Sequence, residues 1–200
     1  MINNQCEYCP QNAQTGNCVG LDDKKVVALD ELKMQIKHAL ATLYEQDYDL
    51  LKRKVDERSI SHRFAHYFEN EFERDYPGYH FDIEYQKDGK VPKYYSIQYA
   101  RPDFIIHRRN CNKHNLVVIE FKPYWGDEHR YENDFAKLQA LTSSESQFCR
   151  DGIVRCYKYT YGVHVVLNRR SVPCTIFFYK NGEAEPFSTD DYEYQGVKAL

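Results

Sequence analysis

A chain of 200 residues with 42% apolar and 15% aromatic content carries enough core-forming material for one domain, and fits one better than two. Its formal charge of −3 excludes a global attraction to nucleic acid, so a polyanion would have to meet a local basic patch or bound metal. No run approaches the roughly 20 apolar residues of a membrane span, and the opening MINNQCEYCPQN lacks the basic and apolar regions of a secretory signal; no membrane partner and a cytoplasmic location are expected.

Residues 1–24 are polar and without helical or strand period, which predicts an irregular arm ahead of a single domain over 25–200. Within the arm, Cys6, Cys9 and Cys18 spell C-x2-C-x8-C, half of a zinc or iron-sulfur cluster signature. The fourth ligand would have to come from His38, Cys149, Cys156 or Cys174, and a bare C-x2-C also arises by chance. Seven cysteines at irregular spacing suit a reducing compartment.

From Lys25 to about Lys54, apolar residues at Leu29, Leu32, Ile36, Leu40 and Leu43 predict one amphipathic helix. A second helix is expected from about Asp56 to Arg74, with Ile60, Phe64, Tyr67, Phe68 and Phe72 on one side and Pro77-Gly78 ending it. YHFDIEYQ alternates as a strand, KDGKVPK reads as a turn, and YYSIQYARPDFIIHR reads as a strand or pair of segments. NLVVIEFK is a short apolar strand, forming a hairpin with the preceding one across RRNCNKHN. YENDFAKLQALTSS predicts a helix, YTYGVHVVLN and CTIFFYKNG two more strands, and STDDYEYQGVKAL a loosely held tail.

Three charges stand at the ends of the two most apolar runs: Asp103, Glu120 and Lys122. Glu120 and Lys122 share a strand face, because side chains two apart point the same way, and a hairpin would bring Asp103 beside Glu120. Two carboxylates that close need a cation between them or a proton on one. Hard divalent ions take such oxygens together with a backbone carbonyl, here that of Phe121, and Lys122 would then orient an attacking water or stabilise charge on phosphate. Helical spacing with Ile60 and Phe64 points Glu57 at the sheet as a third carboxylate, with Asp56, Glu69 and Glu71 as alternatives. The competing reading is an exposed cross-strand ion pair of Glu120 with Lys122.

Pro102-Asp103, then Glu120-Phe121-Lys122, with Glu57 on an upstream helix, resembles the PD-(D/E)XK nuclease superfamily, in particular its small stand-alone bacterial members. The likeness extends over ERSISHRFAHYF, RPDFIIHRR, LVVIEFK and NDFAKLQALT, about residues 55–168. It implies an α/β fold with a restriction-endonuclease-like αβββαβ core over about 55–180, a central mixed sheet flanked by helices, and an extra N-terminal helix. It further implies a nuclease cutting DNA, with RNA as second candidate, in which Asp103, Glu120 and Glu57 hold Mg²⁺ or Mn²⁺ and Lys122 assists the attacking water. A nuclease-like fold that binds nucleic acid or protein without turnover is the alternative.

Arg101, Arg108, Arg109 and Lys113 around the hairpin are candidate phosphate contacts, though a solvated turn looks the same. On the later helix, the resemblance would place Asp134 and Lys137 near the site, Lys137 as a candidate nucleic-acid contact, while an ordinary solvated face is the other reading of both and the preferred one for Asp134. His62 and His66 share a helix face offset from the apolar stripe and read as partly exposed or as contacts to substrate backbone. Homodimerisation would extend the reach of a domain this small, without any interface specified.

Overall fold

The computed structural model describes residues 27–88, 91–95, 98–109, 111–126, 130–144, 148–150, 153–155, 157–169 and 174–192. The expected arm with Cys6, Cys9 and Cys18 lies outside the described residues.

The long N-terminal helix is two helices, α1 (Leu29–Gln46) and α2 (Tyr48–Lys52). The interruption falls at Asp47, whose carboxylate accepts from Arg63 Nε at 2.6 Å and from the Tyr67 hydroxyl at 2.5 Å. Both donors stand on α3 (Glu57–Asp75), so the break places an anchor between two helices that also pack against each other. Asp56 caps α3 by accepting from the Arg58 N–H at 2.9 Å. Its apolar stripe, Ile60, Phe64, Phe68 and Phe72, is fully buried.

Next come β1 (His80–Ile83) and two short hairpins, β2 (Lys87–Asp88) with β3 (Val91–Pro92), and β4 (Tyr94–Tyr95) with β5 (Gln98–Tyr99). The predicted turn and long strand are thus both subdivided. β6 (Phe104–Arg108) and β7 (Cys111–Pro123) form the expected hairpin, with a tighter tip than RRNCNKHN suggested because the ladder runs up to Arg108 opposite Cys111. After α4 (Arg130–Thr142) come a hairpin, β8 (Phe148–Arg150) with β9 (Ile153–Arg155), and then β10 (Tyr161–Leu167), β11 (Cys174–Lys180) and β12 (Glu183–Tyr192).

A six-stranded sheet in the order β1-β6-β7-β10-β11-β12 organises the molecule. Only the β7–β10 pair is parallel, and α4 is the crossover such a pair requires. The predicted order helix, three strands, helix, strand is present as α3, β1, β6, β7, α4 and β10. The expected tail is partly strand: β12 pairs with β11 through Asn181 and Gly182, at φ 54° and 83°, as a two-residue hairpin turn of left-handed residues requires.

Each face of the sheet carries its own core. Val117, Ile119 and Phe121 of β7 join α1 and α3, whereas Val118 joins Leu138 and Leu141 of α4. The two-residue period therefore sends Glu120 and Lys122 to the α4 side. Gly162 of β10 sits under that helix, where an added Cβ would lie 3.0 Å from Thr142 Cγ2 and 3.1 Å from Tyr179 Cβ. Gly162→Ala is expected to cost about 2 kcal/mol by forcing α4 off the sheet, read by denaturant unfolding. Among the described residues, no helix is long and apolar enough to cross a membrane.

Candidate active site

The β6–β7 register pairs Phe104 with Ile119, which brings Asp103 opposite Glu120 as the hairpin required. Asp103 just precedes β6, and one carboxylate oxygen accepts from the Phe121 N–H at 2.8 Å. Glu120, only 2% exposed, receives the Lys137 ammonium on Oε2 at 2.6 Å. Its other oxygen, Oε1, is buried and has no hydrogen-bond partner among the described residues.

Lys122 is also buried; its Nζ lies 2.9 Å from Asp134 Oδ2 and 3.7 Å from Glu57 Oε2. Asp134 in turn sits 3.5 Å from Lys137 Nζ, closing a chain of alternating charge from Glu57 to Glu120. His164, wholly buried on β10, pairs in register with Glu120 and places Nε2 3.8 Å from Asp134 Oδ2. Glu57 opens α3 and reaches Lys122 at the end of the strand, although the apolar stripe below it covers the opposite sheet face.

Burial pushes the carboxyls of Glu57, Asp103 and Glu120 upward, to different extents. Glu57 rises to about 7, through burial and the neighbouring Asp103 charge, which Lys122 only partly offsets. Asp103 rises to about 6, because burial outweighs its backbone hydrogen bond to Phe121 and the lysine fields. Glu120 lies well above the usual range, again chiefly by burial, despite Lys137. Asp134 goes the other way, to about 2: burial opposes its charge, but His164, Lys137 and Lys122 together prevail. Lys122 stays above its ordinary value because Asp134 and Glu57 outweigh its burial.

The expectation that Asp134 is solvated surface is overturned, since the residue is 7% exposed and grips Lys122. The signal was in the helix: Asp134 falls on the stripe Asp134, Leu138, Leu141 that faces the sheet. His164 was passed over because one histidine in the run YGVHVVL gives no pattern. His62 and His66 are exposed, as expected.

Of the basic candidates, Arg101 is beside the site, two residues before Asp103, and lies 3.7 Å from Glu84. Arg108 and Arg109 sit at the other end of the hairpin, about five residues or roughly 17 Å along the strand. Arg109 clasps Asp82 with two nitrogens, and His107 Nε2 adds a third contact at 2.9 Å. The backbone of Lys113 lies in β7, near the same tip.

Among the described residues, no group of three or more His, Cys, Asp or Glu is gathered to hold a metal ion. What is present is Asp103 opposite Glu120, with one Glu120 oxygen buried and without a hydrogen-bond partner among the described residues; these hard oxygens are the groups that could hold a divalent cation. Comparison with protein-family models, with curated proteins and with solved structures finds no match. Fold and site together define a mixed α/β protein with charged groups buried at one end of its central strands.

Proposed function

We propose that this chain is a metal-dependent nuclease that hydrolyses phosphodiester bonds of DNA, with a restriction-endonuclease-like core. The observation that supports this most is Glu120 Oε1, a carboxylate oxygen buried without a hydrogen-bond partner among the described residues, across from Asp103. Lys137 balances the charge of the group through its other oxygen, but an acceptor buried so is costly unless something else satisfies it. Asp103 and Glu120, with the Phe121 carbonyl and Glu57 as auxiliary, would hold Mg²⁺ or Mn²⁺. Bound there, the ion supplies Lewis-acid neutralisation of the phosphate under attack.

The residues of the chain do the remainder. Lys122 stays protonated between Asp134 and Glu57, so it acts as a hydrogen-bond donor to a phosphate oxygen or to the attacking water, and not as a base. Glu57, partly exposed and 3.7 Å from Lys122, helps Asp134 to aim that ammonium. Lys137 neutralises Glu120 until a stronger cation takes its place. That same contact favours the second reading, a nucleic-acid-binding module without turnover, because an ammonium already compensates Glu120. Incubation of single- and double-stranded DNA and RNA with Mg²⁺ or Mn²⁺ decides between them: metal-dependent cleavage that Lys122→Ala removes supports the nuclease, and uncut substrate overturns it.

A pH dependence follows from the raised carboxyls. Glu57 moves from 4.5 to about 7 and Asp103 from 3.8 to about 6, so each stabilises the fold fully only below its ordinary value. That contribution is lost as pH climbs through about 6 and 7, so the metal-free protein is expected to melt lower at about pH 8 than at about pH 5. Metal binding displaces these protons, so affinity for Mn²⁺ rises over the same interval, with proton release measurable by titration calorimetry in buffers of different ionisation enthalpy.

A further inference from the structure

Two guanidiniums stand at the lip of the site, held by one carboxylate. Arg58 immediately follows Glu57 at the start of α3, and Arg101 precedes Asp103 by two positions. Both converge on a single oxygen of Glu84: Arg58 Nε lies 2.7 Å and Arg101 Nε 3.7 Å from Oε1. The Glu84 backbone is tied to the site as well, its N–H donating to the Asp103 carbonyl at 3.2 Å. Glu84 does this from the left-handed region, at φ 50°, where a side chain other than glycine, asparagine or aspartate is uncommon.

The side chains of Arg58 and Arg101 are 59% and 46% exposed, so water and salt screen both ion pairs and the arrangement does little for stability. An anionic oxygen between two guanidiniums is, however, the way arginines grip a phosphodiester. We infer that Glu84 stands in for a backbone phosphate of bound DNA. Arg58 and Arg101 clamp a phosphate adjoining the one at Asp103 and Glu120, without reading bases, and Glu84 keeps the two side chains extended until substrate displaces it. As a fixed negative charge beside the incoming phosphate, Glu84 also weakens binding. The location of the clamp beside the cleaved bond rests on the nuclease reading; its affinity for DNA does not.

The test is fluorescence anisotropy of a labelled DNA duplex of about 20 base pairs, with the full chain, in chelator so that nothing is cut, across a salt series. Glu84→Gln is expected to tighten binding about fivefold. Arg58→Ala and Arg101→Ala each weaken it and lower the salt slope by about one, and the Glu84→Gln gain vanishes when both arginines are absent. Glu84→Asn, which tolerates the left-handed backbone, must reproduce the Glu84→Gln gain, so that a folding defect is not mistaken for a binding one. Unchanged affinity and slope in the arginine variants, or looser binding by a normally melting Glu84→Asn protein, overturns the clamp. Equal effects confined to an RNA duplex overturn the assignment to DNA. Clamp effects with no cleavage in metal would remove the nuclease reading alone, and cleavage without clamp effects would remove the clamp alone.

Discussion

Glu120→Ala and Lys122→Ala are each expected to lower metal-dependent cleavage of DNA by roughly 10²–10³-fold, the range seen when one preorganised electrostatic group is removed. The two act on different things. Without Glu120 the facing carboxylate pair is gone and metal affinity falls, whereas without Lys122 the metal still binds and the donor for developing charge is missing. Calorimetric Mn²⁺ binding alongside initial rates therefore separates them. Asp103→Asn makes the contrast sharper. Its amide oxygen still accepts from the Phe121 N–H at 2.8 Å, but the charge that burial disfavours is removed. Solvent screens part of that penalty, so at about pH 8 the metal-free variant is expected to gain roughly 1 kcal/mol, or a Tm rise of about 3 °C, while losing cleavage. A group whose removal stabilises the fold and abolishes activity is held there for its chemistry. Equal cleavage by all four proteins would sink the catalytic assignment.

What was legible in the sequence follows the physics of period. Alternation in LVVIEFK settles that Glu120 and Lys122 share a face, and the register of the β6–β7 hairpin then sets Asp103 opposite Glu120. The stripe of α3 was equally plain in Ile60, Phe64, Phe68 and Phe72. Which sheet face those charges join was not legible, because it depends on α4 returning across the sheet between two parallel strands. Asp134 was misjudged for that reason: a carboxylate on an apolar stripe looks solvated until its partner, Lys122, arrives from a strand on the other side of a loop. The break at Asp47 likewise depends on Arg63 and Tyr67, distant in sequence. β12 was missed although Lys180-Asn181-Gly182 spells a hairpin turn, since the polar residues that follow it outweighed the turn in a reading by composition.

Asp134→Ala is expected to be the most destabilising single change in the site, costing about 3 kcal/mol. Asp134 holds Lys122 at 2.9 Å and Lys137 at 3.5 Å, in a position 7% exposed. Its loss leaves the Lys122 ammonium, 5% exposed, with Glu57 as its one ion-pair partner among the described residues, at 3.7 Å and too far for a hydrogen bond. His164 cannot replace the lost charge, because an imidazole is neutral or cationic and never anionic. At this chain length the loss corresponds to a fall in Tm of about 6–12 °C. Asp134→Asn retains the shape and an acceptor for Lys122 and is expected to lose about half as much. The sign with pH runs opposite to that of Asp103: Asp134 is pulled from 3.8 to about 2, so its contribution is present above about pH 4 and lost as pH falls toward 2. The wild-type advantage over Asp134→Ala should accordingly shrink in acid. Cleavage should fall too, since among the described residues Lys122 then keeps only the Glu57 ion pair, and its pH profile should shift downward as Glu57 and Asp103 oppose the burial of Lys122 less strongly than with Asp134 present. An Asp134→Ala protein with wild-type Tm and pH profile would mean that Glu57, not Asp134, anchors the lysine.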